Sequence, residues 1–73
     1  MPSKKLPSVS GEATVKALVK LGFMARLGKG DHVVLQKSQR VFSVPLHKTL
    51  KKGTLRKILR QAGLTVAEFT EAL

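Results

Sequence analysis

The stretch His32-Val33-Val34-Leu35-Gln36-Lys37-Ser38-Gln39-Arg40-Val41-Phe42-Ser43-Val44-Pro45 decides the fold. Two β-rich runs, 32–37 and 40–45, flank the Ser38-Gln39 pair, which predicts two successive strands joined by a short turn. The pair lacks the Asn-Gly signature of a tight hairpin, so the turn type stays open at this point. Parity sets the facing, because successive side chains of a strand point to opposite sides. Val33 and Leu35 share one side, as do Phe42 and Val44 on the following strand, and these four are expected in the core. The same parity places His32, Val34 and Gln36, with Val41 and Ser43, on the opposite face. A sheet covered by helices on one side leaves that face open to solvent or a ligand.

Upstream, Gly28-Lys29-Gly30-Asp31 reads as a turn. Before it, Phe23, Ala25 and Leu27 alternate with Met24 and Arg26, the period of a half-buried strand. Ser10 is a credible N-cap and Glu12 suits the positive end of a helix. Val15, Ala17, Leu18, Val19 and Leu21 supply its apolar stripe, and Gly22 ends it. Residues 1–8 read as a short tail. Downstream, Leu55, Ile58, Leu59 and Ala62 form a stripe at i, i+3, i+4 and i+7, with Arg56, Lys57 and Arg60 pointing elsewhere. Gly63 is a stop, and Thr65-Val66-Ala67-Glu68 has the spacing of a capping box that starts a last short helix through Phe69. The expected fold class is α+β: α-β-β-β-α with a three-stranded antiparallel sheet and an extra C-terminal helix, one domain over residues 1–73.

Charge narrows the function. Fourteen Lys and Arg against four Asp and Glu give +10 on 73 residues, with a pI near 10.8. Between His32 and Ala67 stand eight basic residues and no acidic one. Such a distribution attracts polyanions, nucleic acid above all. A membrane surface fits poorly, because no helix pairs a basic face with large exposed aromatics. With no Trp or Tyr and three Phe, base-stacking platforms are poorly supplied. The absence of cysteine removes disulfides and thiolate zinc sites and is compatible with the cytoplasm, the expected location. The acidic residues Glu12, Asp31, Glu68 and Glu71 are too few and scattered for a two-metal site, and His32 with His47 makes a poor zinc site. No metal or other cofactor is expected.

In order along the chain, Val9-Ser10-Gly11, Leu21-Gly22-Phe23, Gly30-Asp31-His32, Val44-Pro45-Leu46-His47, Leu50-Lys51-Lys52-Gly53-Thr54-Leu55 and Ile58-Leu59-Arg60-Gln61-Ala62-Gly63-Leu64 resemble the HicA toxin family over residues 6–70. The resemblance implies a fold like a double-stranded-RNA-binding domain, ribonuclease activity on mRNA, and a HicB-type antitoxin as partner. The family's catalytic histidine, in a Gly-Ser-His type turn, falls on His32, because Gly30 and His32 stand in register. Asp31 replaces the family's more frequent Ser, and Val33 stands where relatives often carry a second His or an aromatic. A carboxylate beside a phosphate-binding site is expected to be unfavourable.

Spacing alone leaves two readings of His32: an ordinary surface histidine on a strand, or a catalytic group whose pKa near operating pH suits proton transfer. The open face, the glycine turn and the resemblance favour catalysis. His47, in the loop before the basic helix, is either a loop residue near phosphate or a second participant. Lys51 and Lys52 lie just before a helix N-terminus, where the macrodipole disfavours cations but an anion binds well. With Lys48 and Arg56 they are candidates for holding the RNA backbone, the alternative being a solvated basic loop. Lys29 and Gly30 could cradle a phosphate, although a glycine pair also serves simply to permit a turn. The expected function is therefore metal-independent cleavage of mRNA by a toxin that an antitoxin neutralises. The main rival is a non-catalytic RNA-binding module on the same fold, which would survive loss of His32. A basic DNA-binding or ribosomal accessory protein would need a base-reading helix, and the helix after Gly53 carries no Asn and one Gln.

Overall fold

The computed structural model describes residues 6–73. Its elements are α1 (Gly11–Lys20), β1 (Met24–Leu27), β2 (His32–Lys37), β3 (Arg40–Pro45), α2 (Lys52–Ala62) and α3 (Val66–Ala72). This is the α+β order expected, with an antiparallel sheet in the sequence β1-β2-β3. The β2–β3 hairpin has the predicted bounds, pairing His32 with Pro45 and Lys37 with Arg40. Ser38 takes a positive φ of 54°, the requirement of the first central residue in hairpin turns that follow the strands' twist.

Helices cover one face of the sheet. Val33, Leu35, Phe42 and Val44 are buried beneath them with Leu18, Leu50, Leu55, Ile58, Leu59 and Phe69. Phe23 and Phe42 meet edge to face, their ring centroids 5.5 Å apart, a favoured geometry for aromatic pairs. Ser10 caps α1 by accepting from the Ala13 N–H. Thr65 and Glu68 form the reciprocal capping box of α3. Gly63 closes α2 at φ +72°, and a Cβ there would meet the Arg40 guanidinium at 2.8 Å.

Three expectations change. The alternation read over Phe23, Ala25 and Leu27 buries only Phe23; all four residues of β1 are exposed, Leu27 by 86%. The cause is position: β1 is an edge strand, and of the helices only α1 makes substantial contact with it. Val19, assigned to the stripe of α1, is exposed, while Thr14 is buried in its place. At about 100° per residue Val19 lies beyond the arc shared by Gly11, Thr14 and Leu18. Thr14 tolerates burial because its hydroxyl donates to the Ser10 carbonyl at 2.9 Å. Finally, of the expected tail, residues 1–5 lie outside the described residues, but Leu6 packs against the core and Lys52 holds this segment from the other end of the chain.

Candidate active site and nucleic-acid surface

The hairpin register brings the histidines together. His32 opens β2 opposite Pro45, two residues before His47. Its backbone is locked by bonds from its N–H to the Lys29 carbonyl (3.1 Å) and from the Gly28 N–H to its own carbonyl (2.9 Å). Across the register, the Leu46 N–H donates to the Asp31 carbonyl at 2.8 Å. The His47 carbonyl accepts from Gly11 N–H at 2.9 Å, and the Leu50 N–H donates to the Val9 carbonyl at 2.8 Å. The loop carrying His47 is thus pinned at one end by the β2 turn and at the other by the start of α1. Gly11 makes this approach possible, since a Cβ there would run into the Pro45 carbonyl oxygen and stand 2.8 Å from Leu46 Cα.

Asp31 stands between the two rings. Its Oδ1 lies 3.3 Å from His32 Nδ1 and its Oδ2 lies 3.9 Å from His47 Nε2. The side chains of His32, His47 and Asp31 are 46%, 60% and 61% exposed, so a polymer can reach them without any opening of the fold. His32 lies on the open face with Gln36, Val41 and Ser43, as parity required, while Val34, assigned to the same face, is half-buried against the Gly28 turn. In the sequence Asp31 stands out only as a carboxylate unfavourable to a neighbouring phosphate. Nothing local in the sequence indicates that it would meet His47, sixteen positions away, because that meeting depends on register. Among the described residues no group of three or more His, Cys, Asp or Glu is arranged to hold a metal ion.

The basic residues divide into two sets. Lys37 donates to the Leu21 carbonyl at 2.9 Å and sits over the Phe23 ring; Arg40 donates to the Gln61 carbonyl at 2.9 Å. Each therefore satisfies a carbonyl at a helix C-terminus, where a cation is favoured. Lys52 lies inside the first turn of α2, not before it. Its ammonium donates to the Leu6 carbonyl and the Ser8 hydroxyl. Lys29, Lys48, Lys51 and Arg56 are exposed and carry no side-chain hydrogen bond or ion pair to another described residue. Lys51 is the N-cap of α2 and supplies no side-chain cap, which leaves the first N–H groups of that helix without a capping acceptor. Lys29 and Gly30 lie in the turn before His32, with Gly30 at φ +59°. A polar cleft between β3 and α2, lined by Ser43, Thr54, Lys57 and Gln61, contains neither histidine.

Residues 11–64 match the family described as HicA toxin of bacterial toxin-antitoxin. No curated protein matches the chain. The match spans most of the sequence, and the chain belongs to the HicA toxin family; its role is that of a toxin working opposite an antitoxin partner. No helix among the described residues is long and apolar enough to cross a membrane.

Proposed function

We propose that this HicA-family toxin is a metal-independent endoribonuclease that cleaves mRNA with His32, aided by His47, and that a HicB-type antitoxin silences it in the cytoplasm. The observation that carries the reading is the pairing of two accessible histidines at one end of an open sheet, on a domain with a net charge of +10. Lys48, Lys51 and Arg56, with Lys29 and Gly30 in the turn, attract and hold the phosphate backbone. Lys52 takes part less directly, through the segment it ties down.

The chemistry needs only the RNA's own 2′-hydroxyl. One imidazole removes the 2′-OH proton as O2′ attacks the neighbouring phosphorus. The P–O5′ bond breaks, and O5′ takes a proton from the other ring in its imidazolium form. The products are a 2′,3′-cyclic phosphate and a 5′-hydroxyl end. The protein's part is to hold both rings at the phosphate and to supply and remove protons.

The test is cleavage of end-labelled RNA by wild-type and His32→Ala protein in excess EDTA. Wild type should cleave undiminished and leave cyclic-phosphate ends. His32→Ala should keep its melting temperature and RNA affinity and lose about 10²–10⁴-fold in rate. Cleavage abolished by EDTA and restored by magnesium would overturn the histidine mechanism. Undiminished cleavage by His32→Ala would refute the catalytic role of His32, whereas RNA binding without cleavage by the wild type would leave the non-catalytic binding module as the better reading.

A further inference from the structure

We propose that Asp31 is a positioning residue that holds His32 and His47 as a working pair, a role that rests on the RNA-cleaving reading above. The Asp31 carboxylate offers one oxygen to each ring, at 3.3 Å and 3.9 Å. Its own backbone is fixed by the Leu46 N–H, so both of its neighbours are tied to the same turn. These separations exceed an ideal hydrogen bond, as those of catalytic groups often do before substrate binds.

Which nitrogens face the carboxylate determines what is left for the substrate. His32 presents Nδ1 to Asp31, leaving Nε2 free; His47 presents Nε2, leaving Nδ1 free. A carboxylate accepts but never donates, so it selects the tautomer that carries hydrogen on the facing nitrogen. In neutral His32 that leaves the lone pair on Nε2, where a 2′-OH proton can be accepted. In protonated His47 the proton on Nδ1 is the one available to a departing O5′. Asp31 itself touches no reacting atom. It stabilises whichever ring is cationic and keeps both rings from swinging into solvent, to which they are otherwise largely open. The carboxylate that looks unfavourable beside a phosphate is offset in this arrangement by the two rings it faces.

The experiment uses the full chain with Asp31→Ala, Asp31→Asn and Asp31→Glu, each also combined with His47→Ala, against the same end-labelled RNA. Binding is read with an RNA whose 2′-hydroxyls are methylated, so that no cleavage can follow. Asp31→Ala should melt like wild type, bind that RNA as well or better, and lose about tenfold to a hundredfold in kcat, the scale of a misplaced reacting group. Asp31→Asn, which can still accept on one oxygen, and Asp31→Glu, which keeps the charge, should each recover part of the loss. With His47 already replaced, removing Asp31 should cost markedly less than in wild type. Nitrogen-15 NMR should find hydrogen on Nδ1 of neutral His32 in wild type and a shift toward Nε2–H in Asp31→Ala. Wild-type kcat and an unchanged His32 tautomer in Asp31→Ala, with His32→Ala inactive, would overturn this proposal and leave the histidine mechanism standing. An active His32→Ala would overturn both.

Discussion

The Lys52 ammonium donates to the Leu6 carbonyl at 2.8 Å and the Ser8 hydroxyl at 3.1 Å, so its charge serves the fold before it serves any ligand. Net hydrogen bonds of this kind contribute about 1 kcal/mol. Lys52→Ala should therefore lower stability by about that amount and loosen the segment at residues 6–8. Lys51→Ala, which breaks no such bond, should leave the melting temperature within the scatter of an ordinary surface change. Denaturant melts of the two variants, with hydrogen exchange at the Leu50 and Gly11 amides that bond this segment to the rest of the fold, separate these outcomes. Equal stability of both would mean that the lysine tie adds nothing in solution. His32 is a third case: its ring is about half exposed and off the core, so its removal is a test of chemistry and not of folding.

At the level of elements, the start of α1 and the end of β3 act on the site together. Gly11 lets the helix approach Pro45 and Leu46 closely while its N–H holds the His47 carbonyl. Gly11→Ala forces the two apart and should cost about 1–3 kcal/mol, the range for overpacking. It should also reduce cleavage more than it reduces RNA affinity, because His47 moves and the basic surface does not. An unchanged melting temperature would show that the contact relaxes cheaply. The capping box of α3 gives a pH-dependent counterpart. Hydrogen bonds from the Thr65 backbone and then its side chain hold the Glu68 carboxyl below its ordinary pKa, slightly opposed by desolvation. A depressed folded pKa means stability that is present above the unfolded value and lost as pH falls through the folded one. Melting temperature should therefore fall on acidification below the ordinary carboxylate range, and Glu68→Gln should show a smaller fall. Parallel curves for the two proteins would show that this cap is not felt.

Taken whole, the molecule is a basic body with its histidines at one end of an open sheet, and with exposed cations on the neighbouring loops (Lys29, Lys48) and on the first turns of α2 (Lys51, Arg56). Phosphate contacts release counterions, so the slope of log K against log salt counts them, at about 0.7 per contact for single-stranded RNA. The triple variant Lys48→Ala/Lys51→Ala/Arg56→Ala should flatten that slope by about two and weaken binding to all sequences alike. Lys37→Ala and Arg40→Ala, whose side chains cap α1 and α2 from the hairpin, should change stability more than slope. Titrations at several salt concentrations distinguish the two sets. An unchanged slope in the triple variant would mean that these cations are merely solvated.

Periodicity and parity are local properties, and what depends on them was legible before any fold was known. The hairpin bounds, the core faces of β2 and β3, the stripe of α2, the caps at Ser10 and Thr65, and the open placement of His32 all follow from spacing along the chain. Motif order likewise sufficed to suggest the family. What could not be read depends on who covers whom. Leu27 and Val19 have the right spacing for burial, yet β1 is an exposed edge strand and the α1 arc is centred on Thr14. Lys37, Arg40 and Lys52 look like three more free cations in the sequence, and only the tertiary fold brings helix carbonyls and the Leu6 carbonyl within their reach. Asp31 belongs to the same class. Its neighbour His32 is covalently next door, but its second partner arrives through the β2–β3 register and the loop held by Gly11. Burial, charge pairing and site assembly are properties of contacts between distant segments, and no local pattern encodes them.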